Sequence, residues 1–282
     1  MIISELNHDD VQSMLPARDP WGHKGTFGKI LILCGSRGFT GAAYFAAMGA
    51  LRSGSGLVFL GVPESIYAIE AIKLNEPVVF PLPDKDGKLH ISALQEIEKR
   101  LPGMDAVLIG CGLGISDDTA SIVQWVLKNA SCPVVLDADG ITVMAAHKDI
   151  LRGRTYPTIL TPHDGEFLRF GGTIGEDRIK SAADYAGAWN CIVLLKGHET
   201  CITDGVHHYR NRTGNPGMAV GGSGDVLAGI IAGFLGQKLQ PLEAAACGAY
   251  VHGKAGDICA ESLGQYGMLP SDMLNVLPRL LK

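Results

Sequence analysis

Short, continuously apolar runs alternate along this chain with stretches whose apolar positions recur at helical spacing. KILILCG (29–35) precedes a small-residue helical stretch at 40–54, and GLVFLGV (56–62) precedes one over 64–74. DAVLIGCG (105–112) is followed by a helical pattern over 117–129. CPVVLDADG (132–140), PTILTPH (157–163) and CIVLLKG (191–197) repeat the form, an apolar strand closing on a polar or glycine-rich turn. Continuous rather than alternating hydrophobicity means that both sheet faces are covered, which predicts a mostly parallel sheet between helical layers. TCITDGVHHYRN (200–211) differs, because Asp204-Gly205 between two β-like runs predicts a hairpin. From Ser223 onward the pattern is helical, with Ser271 or Asp272 as cap of the last helix. No linker, repeat or low-complexity tract appears, so residues 1–282 read as one three-layer α/β/α domain. Ligands in such sheets lie beyond the carboxyl ends of the strands. There Asp137, Asp139, His163, Lys196 and the loop of Asp225 are expected to converge.

Composition narrows the function classes. Glycine supplies 37 of 282 residues, about 13% against an average near 7%. That excess points to tight turns and close backbone approaches to a ligand. A net charge of −5 and the lack of any Lys/Arg cluster argue against a nucleic-acid partner. Seven cysteines, an odd number with no CxxC pair, read as buried reduced thiols. The amino-terminal segment lacks a signal-type apolar region, and no run is a clean membrane span. A cytoplasmic protein is expected.

Two glycine-rich loops compete for the chemistry. GSRGFTGAA (35–43) follows a strand and opens a helix, in the form of a dinucleotide fingerprint with Glu64 near the place of a ribose-binding acid. Tyr250 and Lys254 add the i,i+4 pair of a short-chain oxidoreductase. That pair lies close to the carboxyl terminus, however, and the oxidoreductase reading leaves the second loop without a role. In the second loop, GGSGD (221–225) runs directly into VLAGIIAGFLG, so Gly221, Gly222, Ser223 and Gly224 lie at a helix N-terminus. Free amides and about half a positive charge from the helix dipole make an anion hole there without any side-chain cation. An aspartate at the same turn repels phosphate, but it suits a hydroxyl that loses its proton as a phosphoryl group arrives. Asp225 is thus the candidate general base, beside a loop that stabilises the transferring charge. The plainer alternative is a carboxylate favourable at a helix start by about 0.3–1 kcal/mol, which leaves the preceding glycines unexplained.

Six blocks in order, HKGTFGKILILCGSRGFTGAA, GCGLG, LDADG, TPHDGEFLRF, LLKGHET and GNPGMAVGGSGDVLAGIIAGFLGQ, extend over nearly the whole chain from His23. Together they resemble the ADP/ATP-dependent NAD(P)H-hydrate dehydratases, the carboxyl-terminal YjeF-type group of the ribokinase-like superfamily. The resemblance implies a ribokinase-like α/β/α sandwich in the stand-alone form, with no epimerase domain before it. It also implies ADP as phosphoryl donor (ATP in some members), Mg²⁺ and a homotetramer. The implied substrates are NADHX and NADPHX. Their C6 hydroxyl is phosphorylated, AMP is released, and loss of phosphate restores NAD(P)H.

By the same resemblance, Asp225 matches the family's base and substrate-binding aspartate, and Gly224 a nucleotide contact. Lys196, Gly197, His198, Glu199 and Thr200 match the adenine-nucleotide segment. Ala42, Ala43, Gly112 and His163 match substrate-binding positions, so the first glycine loop meets a dinucleotide as substrate. Asp137 and Asp139 either order Mg²⁺ waters or orient loops. Four positions depart from the family pattern: Cys111 and Asp164 stand where proline is common, Ser223 in place of threonine, and Gly140 in place of alanine. Two rivals stay open, a kinase of a small alcohol such as hydroxyethylthiazole and a nucleotide sensor without turnover.

Overall fold

The computed structural model describes residues 2–281. Strand β1 (Ser4–Glu5) and helix α1 (His8–Met14) lead into β2 (Lys29–Leu33), α2 (Thr40–Arg52), β3 (Leu57–Pro63), α3 (Glu64–Lys73) and β4 (Val78–Leu82). A small hairpin, β5 (Asp84–Lys85) and β6 (Lys88–Leu89), is followed by α4 (Leu94–Arg100), β7 (Ala106–Ile109), α5 (Asp117–Asn129) and β8 (Val134–Leu136). Then come α6 (Ala138–Met144), α7 (Asp149–Arg152), β9 (Thr158–Leu160), α8 (Asp164–Arg169), α9 (Arg178–Trp189) and β10 (Ile192–Leu195). The chain closes with β11 (Thr200–Thr203), β12 (His208–Asn211), α10 (Ser223–Gly236), α11 (Pro241–Leu263) and α12 (Pro270–Leu280).

Ten strands form one sheet in the order β1-β12-β11-β10-β9-β8-β7-β2-β3-β4. From β10 to β4 every neighbour is parallel; the β11–β12 hairpin adds the antiparallel pairs, as Asp204-Gly205 predicts. The apolar runs are continuous because alternate residues feed two cores. Ile30, Ile32, Leu108, Val135 and Leu194 face one core with α2, α10, α11 and α12. Leu31, Leu33, Ile109, Leu136 and Leu195 face the other with α5, α6, α8 and α9. Two burials at once explain why these strands show no polar alternation.

Helix α10 lies innermost and is buried all round from Val226 to Gly236. It packs on α2 along a seam of small residues. A Cβ on Gly229 would lie 2.2 Å from Ala46 O, and one on Gly49 would lie 2.6 Å from Val226 O. Glycine is needed there because the two helix backbones touch. Neither proposed cap of α12 is the N-cap, which is Leu269; both lie inside the helix, and Asp272, its third residue, reaches back to accept from Leu269 N–H at 2.8 Å. All seven cysteines are buried and free. Among the described residues, no helix is long and apolar enough to cross a membrane.

Candidate active site

Parallel register brings the polar strand ends together. Ile109, Leu136 and Leu160 are paired across β7, β8 and β9, so the residues that follow each strand emerge at one level. Lys196, just beyond β10, is tied to the same level by its N–H, which donates to Pro162 O at 2.8 Å.

Asp137 is the buried centre of this group. Its Oδ1 accepts from Thr161 Oγ1 at 2.7 Å and from Lys196 Nζ at 3.1 Å, and its Oδ2 accepts from Cys111 Sγ at 3.4 Å. Hydrogen bonding with Cys34, together with burial, holds the Cys111 thiol well above its ordinary range, so it stands as a donor. Ala138 has φ +48°, a left-handed conformation that alanine rarely adopts. It separates Asp137 from Asp139, whose Oδ2 accepts from Gly114 N–H at 2.8 Å. Of the two roles expected for Asp139, the structure displays the orienting of the 110–114 loop.

Asp225 is the third residue of α10 and is only partly buried. Donor atoms of Asp225, Asp137 and Cys111 lie within 4.8 Å of one another. Burial and the Asp137 charge push the Asp225 carboxyl up to about 6, against the lowering effect of Cys111 and Lys196. Gly222 caps the helix with φ +98°, and a Cβ there would lie 2.6 Å from the Phe45 ring. The turn leaves donors free. Among the described residues, the amides of Gly221, Gly222, Gly224 and Asp225 have no backbone or side-chain acceptor, whereas Ser223 N–H reaches Val220 O. Lys196 Nζ lies 3.5 Å from where a Gly224 Cβ would stand, next to this turn.

His163 caps α8. Its Nδ1 accepts from Gly165 and Glu166 N–H at 3.0 and 3.4 Å, which leaves a ring 54% exposed. Glu166, assigned no role from the sequence, is buried; it bonds His163 N–H at 2.9 Å and lies 3.7 Å from Lys196 Nζ. Its signal was legible as the fourth residue of HDGE, the spacing of a reciprocal cap. Arg178, fourteen residues beyond Asp164, grips that carboxylate at 2.8 and 2.7 Å and also donates to Lys196 O at 3.1 Å. The negative charge that Asp164 adds beside His163 is therefore locally paired.

The remaining sequence candidates divide. His198 and Gly197 are exposed on the turn between β10 and β11. Thr200 Oγ1 donates to Gly197 O at 3.1 Å, and Glu199 pairs with Arg210 and Arg212 along the sheet edge. Gly112 has φ +57° and packs against Ala42 and Phe39. Ala42 is partly exposed, whereas Ala43 is fully buried against Gly35. Small size at Ala43 serves packing. Glu64 is exposed at the start of α3, outside this group. A cavity of about 600 Å³ opens at the opposite, amino ends of β9 and β10, lined by Arg154, Asn190, Asp204 and Glu243. It holds none of the candidate site residues named from the sequence.

A family model described as NAD(P)H-hydrate dehydratase matches residues 30–279. The chain belongs to the NAD(P)H-hydrate dehydratase family. Within that family, it is 34% identical over 282 residues to the ADP-dependent (S)-NAD(P)H-hydrate dehydratase of Bacillus subtilis, covering 97% of this chain and 96% of that one. It is 45% identical over 278 residues to the bifunctional NAD(P)H-hydrate repair enzyme of Moorella thermoacetica, and there it covers 96% of this chain but only 52% of the relative. The chain thus spans about half the length of the bifunctional relatives it matches. The crystal structure of the Bacillus subtilis ADP/ATP-dependent NAD(P)H-hydrate dehydratase, co-crystallised with ATP and Mg²⁺, superposes with a TM-score of 0.83 at 31% identity. It covers 99% of this chain and 98% of that one. The ribokinase-like fold expected for the family is the one observed.

Proposed function

We propose that the protein dehydrates the S-form of NAD(P)H-hydrate in an ADP-dependent reaction, returning NADHX or NADPHX to NAD(P)H with release of AMP. The observation that carries this reading is the Asp225 carboxylate, partly accessible, at a helix start whose neighbouring amides are free. Support from outside the chain is the naming of full-length relatives for that activity.

Asp225 accepts the proton of the C6 hydroxyl as its oxygen attacks the β-phosphorus of ADP. A carboxyl held near 6 is ionised at neutral pH yet basic enough to take a proton in the transition state. The amides of Gly221, Gly222, Gly224 and Asp225 meet the charge on the transferring group, a stabilisation that needs no reorganisation during the step. The P–O bond to AMP breaks as the new one forms. In the second step the ring-nitrogen lone pair expels phosphate from C6 and a proton leaves C5, restoring the double bond. Phosphate replaces hydroxide as leaving group, so no second strong acid is required.

Lys196, with the Gly197–Thr200 turn, takes the nucleotide side. Ala42, Gly112 and His163 border the hydrated dinucleotide. The Asp137 and Asp225 carboxylates are oxygen donors of the kind Mg²⁺ accepts. When bound with nucleotide, the ion supplies neutralisation of phosphate charge. ADP rather than ATP, a cytoplasmic location and a homotetramer belong to the same reading by family likeness.

The test is to incubate the protein with hydrated NADPH, ADP and Mg²⁺, following NADPH absorbance and AMP together. Equimolar recovery of NADPH and AMP is expected. No recovery overturns the proposal, and a stable phosphorylated product shifts it to a small-alcohol kinase.

A further inference from the structure

We propose that His252 is a positioning residue for the anion-binding turn: through Ser223 it fixes the amides that receive the transferring phosphoryl group. The inference rests on the phosphoryl-transfer reading above and extends it to a helix that touches no reacting atom.

Helix α11 presents one stripe to the 211–223 loop, at the i, i+3/4 and i+7/8 spacing of a single helix face. Asn211 Nδ2 donates to Ala249 O at 3.1 Å and Thr213 Oγ1 to Tyr250 O at 3.0 Å. Asp257 takes two donors, Gly214 N–H at 3.0 Å and Asn215 Nδ2 at 3.1 Å. Between them Gly253 and Gly256 lack the side chains that would meet Thr213 and Met218, so the loop lies directly on the helix. These contacts hold the loop's approach. Its last residue, Ser223, sits between the free amides of Gly222 and Gly224, and its Oγ lies 3.3 Å from His252 Nε2.

Both partners are buried, at 7% and 8% exposure, so each hydroxyl and ring nitrogen satisfies the other where water is scarce. Burial drives the imidazole down to about 4, and at neutral pH it is uncharged. A neutral ring places no cation behind the turn, so anion binding is left to the amides and Lys196. His252 therefore acts on geometry. Without it the Ser223 hydroxyl has no partner, and the turn that follows the left-handed Gly222 is free to reorient. Such pairs of contacting groups show non-additive effects when both are removed.

The experiment compares His252→Phe, His252→Gln, Ser223→Ala and the His252→Phe/Ser223→Ala pair, measuring kcat, KM for ADP and Tm. A misplacement of about 1 Å costs up to about 100-fold in rate, so His252→Phe is expected to lower kcat by about 10- to 100-fold. KM for ADP should stay within about threefold, because this contact shapes the transition-state turn rather than the nucleotide segment. His252→Gln, which keeps a polar group within reach of Ser223, should recover most of the rate. Adding Ser223→Ala to His252→Phe should cost little more. A wild-type kcat in His252→Phe, or additive losses with no rescue by glutamine, overturns the inference. If His252→Phe does not fold, His252→Asn, too short to reach Ser223, must show the same loss. An inactive wild type instead sinks the functional reading itself, a distinguishable failure.

Discussion

Lys196 Nζ lies 3.1 Å from Asp137 Oδ1 and 3.7 Å from Glu166 Oε2, beside the start of α10. Burial pulls this ammonium down, but the two carboxylates outweigh it and hold the group above its ordinary range. The lysine stays charged where Asp137, at the cap of α6, and Glu166, in the first turn of α8, come beside an anion-binding turn. Asp137 raises the affinity of Asp225 for a proton, and Lys196 lowers it. The base is thus set by a balance between two neighbours.

That balance predicts the pH–rate profile. Asp225 must be ionised to act, so kcat/KM should rise about tenfold per pH unit below about 6 and level off above it. Asp137→Asn removes a repelling charge, which should move the inflection to lower pH. Lys196→Met removes an attracting charge and should move it upward. Profiles of the three proteins check this; shifts of the opposite sign would refute the assignment.

The same group makes a prediction about stability. Its folded value, about 6, is above the unfolded one, so its favourable contribution is complete below about 4 and lost as pH rises through 6. At pH 8 the wild type therefore carries the cost of an ionised, partly buried carboxylate. Asp225→Asn should raise the stability of the ligand-free protein at pH 8 by about 1–2 kcal/mol, discounted for exposure, and by almost nothing at pH 4. Thermal melts at the two pH values check the difference.

Packing between α2 and α10 gives a test away from the chemistry. Gly229→Ala forces a methyl group against the Ala46 carbonyl. Overpacking of this kind costs about 1–3 kcal/mol, so Tm should fall by several degrees. Calorimetry of the variant measures it.

Much of this was legible in the sequence. The six apolar runs that close on polar turns gave the central strands, because each is buried on both faces. Asp204-Gly205 gave the hairpin for reasons of local turn geometry. GGSGD gave the helix start, since glycine there answers a backbone requirement. What escaped depends on contacts made far along the chain. The short β1 pairs with β12, two hundred residues away, with no local pattern to announce it. The β5–β6 hairpin carries its own Asp86-Gly87 turn, with φ +54° and +77°, but strands of two residues are too short for periodicity. Glu166 was readable as a cap but not as a partner of Lys196. Arg178 meets Asp164 because the starts of α8 and α9, fourteen residues apart in the chain, lie together. At Ala43 the sequence does not separate packing from close approach to a ligand, because small residues serve both.

The most direct test of the central claim is turnover and ADP affinity in Asp225→Asn. The amide keeps the shape of the turn but cannot take the proton. Kd for ADP should stay within a few-fold of wild type while NADPH recovery from the hydrate falls by about 10²–10⁴-fold, the range a general base supplies. Near-wild-type recovery in that variant would contradict the account.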